Sequence, residues 1–454
     1  MKHTTGILSV GFALALLLGA GARANANVTT VTLRAEPEKN ILLSGIGQDA
    51  MIKISIETSA AAKEQKSRVN LCIALDRSGS MHGMNKIQNA RAAAVAALNM
   101  LGENDRFSLV TYDSRAQVLI PSTRVTDANR RELIEKINAV TPGGSTALFA
   151  GVSLAANEIA KCREAGFVNR IVLLSDGQAN VGPSSAQELG RLGRGLVKEG
   201  VSVSTVGVGS DYNENLMTAL AQNSDGNFYF VENSRDLSLI FEKELGSALA
   251  VAAKDVRLRI VCPPGITPKG ILGHECRIHG QEIELDFNQI YAGHSKVLIL
   301  QLGLPAAENG AEKTIASVKM DYLDNALKKE FSANRNVRLA FASDQSKVKG
   351  SLNKAVSADV ALQQSALLRE QALAEADKGN FSSSRKIMES AGTLLRKNAA
   401  ITNAPAVQKE ADIAAEEIRK LDKAKSAPSS YSRVRKEIIG NSFQIRNSQL
   451  FKQK

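Results

Sequence analysis

Between Val69 and Met81 the chain reads VNLCIALDRSGSM, a continuous apolar run that breaks into Asp76, Arg77, Ser78, Gly79 and Ser80. A short unbroken apolar run with β-branched residues suits a central parallel strand, because helices cover such a strand on both faces. Open α/β sheets take their ligands outside the carboxyl ends of the strands. Here that edge carries one carboxylate and two hydroxyls at alternate positions, and Gly79 lets the backbone turn tightly between the hydroxyls. Three hard oxygens so placed can converge on a cation, and hard oxygens select magnesium, manganese or calcium over zinc. An Asp-Ser-Gly cluster also suits a plain turn after a strand, so the motif needs support from elsewhere in the chain.

Two later stretches supply it. Thr141 to Leu148 reads TPGGSTAL, a Gly-rich loop that delivers the hydroxyl of Thr146 to the start of an apolar helix, and Arg170 to Gly177 reads RIVLLSDG, a second buried strand ending in Asp176. Asp76, Ser78, Ser80, Thr146 and Asp176 thus all fall at strand-to-helix edges of one α/β pattern. In content and order, these three motifs resemble the metal-ion-dependent adhesion site of a von Willebrand factor type A (VWA) domain. The resemblance runs from Val69 to about Ala250. It implies that Ser78 and Ser80 ligate a divalent ion, magnesium first and manganese or calcium next, that Thr146 joins directly or through water, and that Asp76 and Asp176 ligate or act through water. It also implies a partner protein that offers an exposed Asp or Glu to the ion, and a last helix whose position responds to that engagement.

The first residues, MKHTTGILSVGFALALLLGAGARANA, have a basic Lys2, an apolar stretch from Ile7 to Leu18 and small residues ending at Ala26. They read as a secretory signal peptide over 1–26, which predicts export to the periplasm, the envelope or the exterior. With 44% hydrophobic residues the remainder can fill more than one core. The formal net charge of +11 is concentrated at the far end, where from Lys423 onward eight Lys or Arg face Glu437 alone. A basic folded face of the kind nucleic acid requires is therefore not expected. The segment 426–454 reads as a basic, disordered tail that could touch anionic envelope components.

Residues 27–66 contain VTTVTLRAEP and MIKISIETS, in which Ile52, Ile54 and Ile56 alternate with polar residues as in a strand with one wet face. Two strands are too few to stand alone, and similar alternation returns in 254–345, as at Val256, Leu258 and Ile260. The expected architecture is α/β: a doubly wound, Rossmann-like VWA domain over 67–253 inserted in a β-sandwich built from both flanks. A helical region follows over 350–425, with helices at Ser357 to Asp377, Phe381 to Asn398 and Val407 to Lys425. The two-flank arrangement resembles bacterial relatives of the inter-alpha-trypsin inhibitor heavy chain group. Cys262 and Cys276 bracket a short loop in an exported chain and are candidates for a disulfide, with free thiols as the alternative.

The reading that results is an exported, metal-dependent protein-binding protein, for adhesion or assembly. The alternative is a structural envelope protein whose sandwich and helices make the main contacts. Hydrolysis is the weaker third reading: Ser78 and Ser80 do not sit in a G-x-S-x-G elbow, and nothing marks His82, near the metal edge, as a base. The oligomeric state is not set by the sequence.

Overall fold

In the computed structural model, residues 31–59, 67–162, 166–209, 211–424, 427–447 and 450–451 are described. The expected signal peptide, 1–26, lies outside them. The elements run β1 (Val31–Pro37), β2 (Ile41–Leu43), β3 (Gln48–Thr58), β4 (Arg68–Asp76), α1 (Lys86–Met100), β5 (Arg106–Tyr112), β6 (Ala116–Arg124), α2 (Asp127–Asn138) and α3 (Leu148–Ala160). They continue through β7 (Phe167–Ser175), α4 (Ala186–Lys198), β8 (Val201–Val208), α5 (Glu214–Asn223), β9 (Phe228–Val231) and α6 (Leu237–Leu249). Next come β10 (Val251–Val261), β11 (Thr267–Ile271), β12 (Arg277–His279), β13 (Glu282–Tyr291), β14 (His294–Leu304), β15 (Glu312–Asp324) and β16 (Lys329–Ala342). The chain closes with α7 (Gln345–Gly350), α8 (Lys354–Asp377), α9 (Phe381–Thr402), α10 (Pro405–Ala424), α11 (Pro428–Asn447) and β17 (Leu450–Phe451).

The central sheet has the order β6-β5-β4-β7-β8-β9, parallel throughout except for β6. Counted along the chain this is 3-2-1-4-5-6, the doubly wound Rossmann order, and its switch point lies between β4 and β7. Both faces of β4 are covered, as its apolar run requires. Leu71, Ile73 and Leu75 pack with Ala90, Ala93, Ala94 and Ala97 of α1 and Phe241 of α6. Cys72 and Ala74 pack on the other face with Val152 and Ala155 of α3 and Leu216 and Leu220 of α5.

Two further sheets take strands from both sides of this unit. One has the order β1-β3-β14-β11, with β17 also on β14; the other is β12-β13-β10-β15-β16-β2. Alternation puts Leu33, Ile52, Ile54, Leu298 and Leu300 of the first and Leu258, Ile260, Ile283, Val318 and Leu339 of the second into one shared core. The ends of the central unit lie together, since Ser67 N donates to Leu249 O at 2.9 Å. The last helix of the unit stops at Leu249: Val251 and Ala253 pair with Tyr291 and Ile290 of β13, so long-range pairing overrides local helical preference.

The expected tail is corrected most. Residues 428–447 form a helix, α11, whose Val434, Ile438, Ile439 and Phe443 enter the core shared with β9 and α5. Phe443 meets Phe228 edge-on, with ring centroids 5.8 Å apart. Its charges are spent internally: Lys436 Nζ lies 2.9 Å from Glu214, Arg435 bridges Asp377 at 2.8 Å and also bonds Glu214, and Arg446 lies 2.6 Å from Glu370. The helical region therefore packs on the central unit as well as on the sheets. Here α8 meets Ile299 of β14 through Val356 and Val360, and Arg369 ties it to α10 through Glu410 at 2.6 Å and Glu417 at 3.1 Å.

For the cysteine pair it is the second alternative that holds. Cys262 and Cys276 are free thiols. Cys262 lies inside the two-sheet core with Cys276 packed against it, so both act as small apolar side chains, and burial pushes the Cys262 thiol up to about 11. Among the described residues no helix is long and apolar enough to cross a membrane.

Candidate metal centre

The neighbouring strands β4 and β7 deliver Asp76 and Asp176 to the same edge at the switch point. Asp76 is fully buried, and both its oxygens are occupied: Oδ1 accepts Ser78 N at 2.8 Å and Oδ2 accepts Ser175 Oγ at 2.7 Å. The chain then reverses through a short 3₁₀ turn, Gly79–His82, that buries Met81 and leaves His82 exposed. The Gly-rich loop is laced to this turn. Gly79 N donates to Gly144 O at 3.0 Å, Gly143 N donates to Arg77 O at 2.7 Å, and Ala147 N donates to Asp113 O at 2.7 Å, while the Arg77 guanidinium pairs with Asp113 at 2.5 Å. Gly144 takes a φ of 81°, a conformation open to glycine and costly for other residues.

These constraints gather the hydroxyls. Ser78 Oγ and Ser80 Oγ are 3.0 Å apart, and Ser80 Oγ donates to Asp176 Oδ1 at 2.7 Å. Asn180 fixes the third hydroxyl residue, its Oδ1 accepting from Thr146 N at 2.8 Å while its own N donates to Thr146 O at 3.2 Å. Gly177 shows the convergence: a methyl group there would meet Ser80 Oγ at 3.2 Å, Thr146 Oγ1 at 3.3 Å and Ser78 Oγ at 3.8 Å. All five residues expected from the sequence are thus brought to one edge. Ser78, Thr146 and the two aspartates are buried while Ser80 is open to solvent, so the cluster is reached from outside.

The donor set fits a hard divalent ion. Three hydroxyls and two carboxylates are all oxygen ligands, the chemistry of magnesium, manganese and calcium rather than of thiolate or imidazole sites. Burial pushes the Asp76 carboxyl up to about 6, with Asp176 adding to the shift and hydrogen bonds from Ser175 and Ser78 opposing it. A nearby cation would relieve that cost.

Four supporting residues were not legible in the sequence. Lys86 Nζ lies 2.6 Å from Asp176 Oδ2, both side chains being buried. Ser175 and Asn180 orient Asp76 and Thr146. Tyr112 OH donates to Leu174 O at 2.8 Å, and its ring lies so close to α3 that a Cβ on Gly151 would sit 2.5 Å from it. For Lys86 the signal was only a basic residue ten positions after Asp76, indistinguishable from a solvated helix charge.

The sequence of residues 70–243 matches the family of von Willebrand factor type A domains. That stretch is a VWA domain. Domains of this family commonly bind a divalent metal at a metal-ion-dependent adhesion site. The uncharacterized protein YfbK of Escherichia coli strain K12 is 29% identical over 272 residues, which cover 59% of this chain and 47% of that protein. Inter-alpha-trypsin inhibitor heavy chain H4 of Homo sapiens is 28% identical over 195 residues, 40% of this chain and 20% of that one. The chain therefore spans about half the length of the bacterial relative and a fifth of the human one. A solved structure of a von Willebrand factor type A protein from Catenulispora acidiphila superposes with a TM-score of 0.74 at 17% identity, covering 92% of this chain and 97% of that one. The shared fold thus extends beyond the VWA domain into the flanking sheets and helices.

Proposed function

We propose that this is an exported binding protein in which a VWA domain, inserted in a two-flank β-sandwich, engages an acidic residue of a partner protein through a divalent cation. The observation that carries the reading is the convergence of Ser78, Ser80 and Thr146 around Gly177, between Asp76 and Asp176, at the open carboxyl edge of the sheet. When bound, the ion would supply an open coordination position for a carboxylate oxygen. The chain's own residues do the rest. Asp76 and Asp176 provide the charge, and the lacing of the Gly-rich loop to the Asp-Ser turn fixes the three hydroxyls in advance, so little ordering remains for binding. The loop surface around Ser80 contributes the remaining contacts and orients the partner. Export rests on the character of residues 1–26 and predicts a periplasmic, envelope-bound or secreted protein.

A pull-down from envelope extract tests this, run with magnesium, with chelator and with Asp76→Ala. A protein retained only by the magnesium-loaded wild type supports metal-bridged recognition. Equal retention in all three would transfer the function to the sheets or helices. That second reading, a scaffold, draws support from the docking of α11 on the VWA domain. It predicts loss of the partner on deleting 350–454 but not on Asp76→Ala.

A further inference from the structure

Lys86 is not among the five expected donors, yet its ammonium reaches the centre of the site. Its Nζ lies 2.6 Å from Asp176 Oδ2, with 7% of the lysine side chain and none of the aspartate exposed. Its placement is unfavourable in three ways. Lys86 is the first residue of α1, where the free N–H groups of the helix disfavour a cation. Burial of an ammonium carries a desolvation cost. The chain reaches it through two consecutive left-handed residues, Met84 at φ 53° and Asn85 at φ 55°, a conformation that asparagine tolerates but that is strained for Met84. What these costs achieve is the commitment of one carboxylate oxygen.

With Oδ2 held by Lys86, Asp176 offers the hydroxyl cluster only Oδ1, which already accepts the Ser80 hydroxyl at 2.7 Å. Asp76 is restricted in the same sense by Ser175 on Oδ2 and Ser78 N on Oδ1. Turning both oxygens of either carboxylate toward one ion would mean giving up these contacts. Calcium takes six to eight oxygens and commonly uses bidentate carboxylates, whereas magnesium needs six in a tight octahedron and keeps several waters. We propose that Lys86 is a selectivity residue: by holding Oδ2 it limits Asp176 to single-oxygen donation and favours a small octahedral ion over calcium. This rests on the metal-binding reading above.

The test is calorimetric titration of the full chain with magnesium, manganese and calcium chlorides. It compares wild type, Lys86→Met, Lys86→Gln and the double variant Lys86→Met/Asp176→Asn, with folding checked by circular dichroism in chelator. In Lys86→Met the calcium affinity is expected to rise relative to magnesium by about tenfold, the scale of one added charged oxygen ligand. Lys86→Gln keeps a donor without the charge and should gain less. In the double variant the gain disappears, because no second carboxylate oxygen is left to release. A calcium-to-magnesium ratio unchanged in both single variants, or a gain that survives Asp176→Asn, would overturn the role of Lys86 while leaving the metal site standing. Absence of any divalent binding by wild type would overturn both.

Discussion

Arg170 and Glu244 form an ion pair at 2.8 Å with 0% and 1% of their side chains exposed. Burial opposes the charge on Arg170, but the Tyr291 oxygen and the Glu244 carboxylate outweigh it and raise the guanidinium pKa above its ordinary value. Glu244 sits on α6, and its other donors are Ser204 Oγ at 2.5 Å, Asn227 Nδ2 at 2.9 Å and Tyr229 OH at 2.9 Å; Arg170 also donates to Tyr291 OH of β13 at 2.6 Å. The last helix of the VWA domain is thus fastened to three strands of its own sheet and, through Arg170, to the neighbouring sheet. Replacing Arg170 with Met removes the cation and leaves a buried carboxylate with three neutral donors. Breaking a buried pair from one side costs about 3–5 kcal/mol. The surviving donors place the expected loss near the lower end, about 3 kcal/mol, a large share of the 5–15 kcal/mol typical of a domain. Urea denaturation followed by circular dichroism measures it. The double variant Arg170→Met/Glu244→Gln should recover about half, because the stranded charge is gone. In wild type, magnesium should leave amide exchange in 237–249 unchanged, since moving α6 would break this network. A single-variant loss below about 1 kcal/mol, or a double variant no more stable than Arg170→Met, would refute the reasoning.

Gly177→Ala inserts a methyl 3.2 Å and 3.3 Å from the hydroxyls of Ser80 and Thr146 and should abolish magnesium binding in calorimetry. Gly177 does not have a left-handed φ, so the same change should cost less than about 1 kcal/mol of stability in chelator. Because the Asp76 pKa stands at about 6, metal affinity should fall as pH drops through that value and protons displace the ion. Stability of the metal-free protein should change in the opposite sense: the folded state binds the proton more tightly than the unfolded state, so stability falls as pH rises from about 4 to about 6 and is level above. Phe443→Ala should cost about 3–5 kcal/mol, and limited proteolysis should then cut within 428–447 before elsewhere.

Most of the centre was legible because its determinants are local. An apolar run ending in Asp, with hydroxyls at alternate positions and a glycine between them, fixes strand, edge and donors within thirteen residues, and the order of strands and helices brings the other two motifs to the same edge. What escaped depends on pairing across the chain. The apolar positions of α11, Val434, Ile438, Ile439 and Phe443, stand among basic residues whose partners are remote. Glu214 lies 222 positions from Lys436, and Glu370 lies 76 from Arg446, so the charges looked solvated. Val251 to Ala253 continue a helical pattern and become strand only because β13 and β15 wait beside them. Lys86 is one more lysine at the start of a helix until β7 places Asp176 against it. Cysteine spacing said nothing of where two thiols point in a packed sheet.

Two charged centres of the VWA domain divide tasks by position along one strand. Arg170 and Asp176 both belong to the β7 run, six residues or about 20 Å of extended chain apart. Near the start of the strand, Arg170, Glu244 and Tyr291 are buried and hold helix, sheet and neighbouring sheet together. At its end the carboxylates face hydroxyls, and Ser80 remains open to solvent. A partner recognised at the open edge need not disturb the buried end, and the buried end can be fastened tightly without blocking the edge. Arg170→Met should therefore lower stability while leaving the magnesium affinity of the folded protein unchanged, and Gly177→Ala should do the reverse. If both variants lost both properties, the two ends would be coupled through β7, and the fixed position of α6 would have to be abandoned.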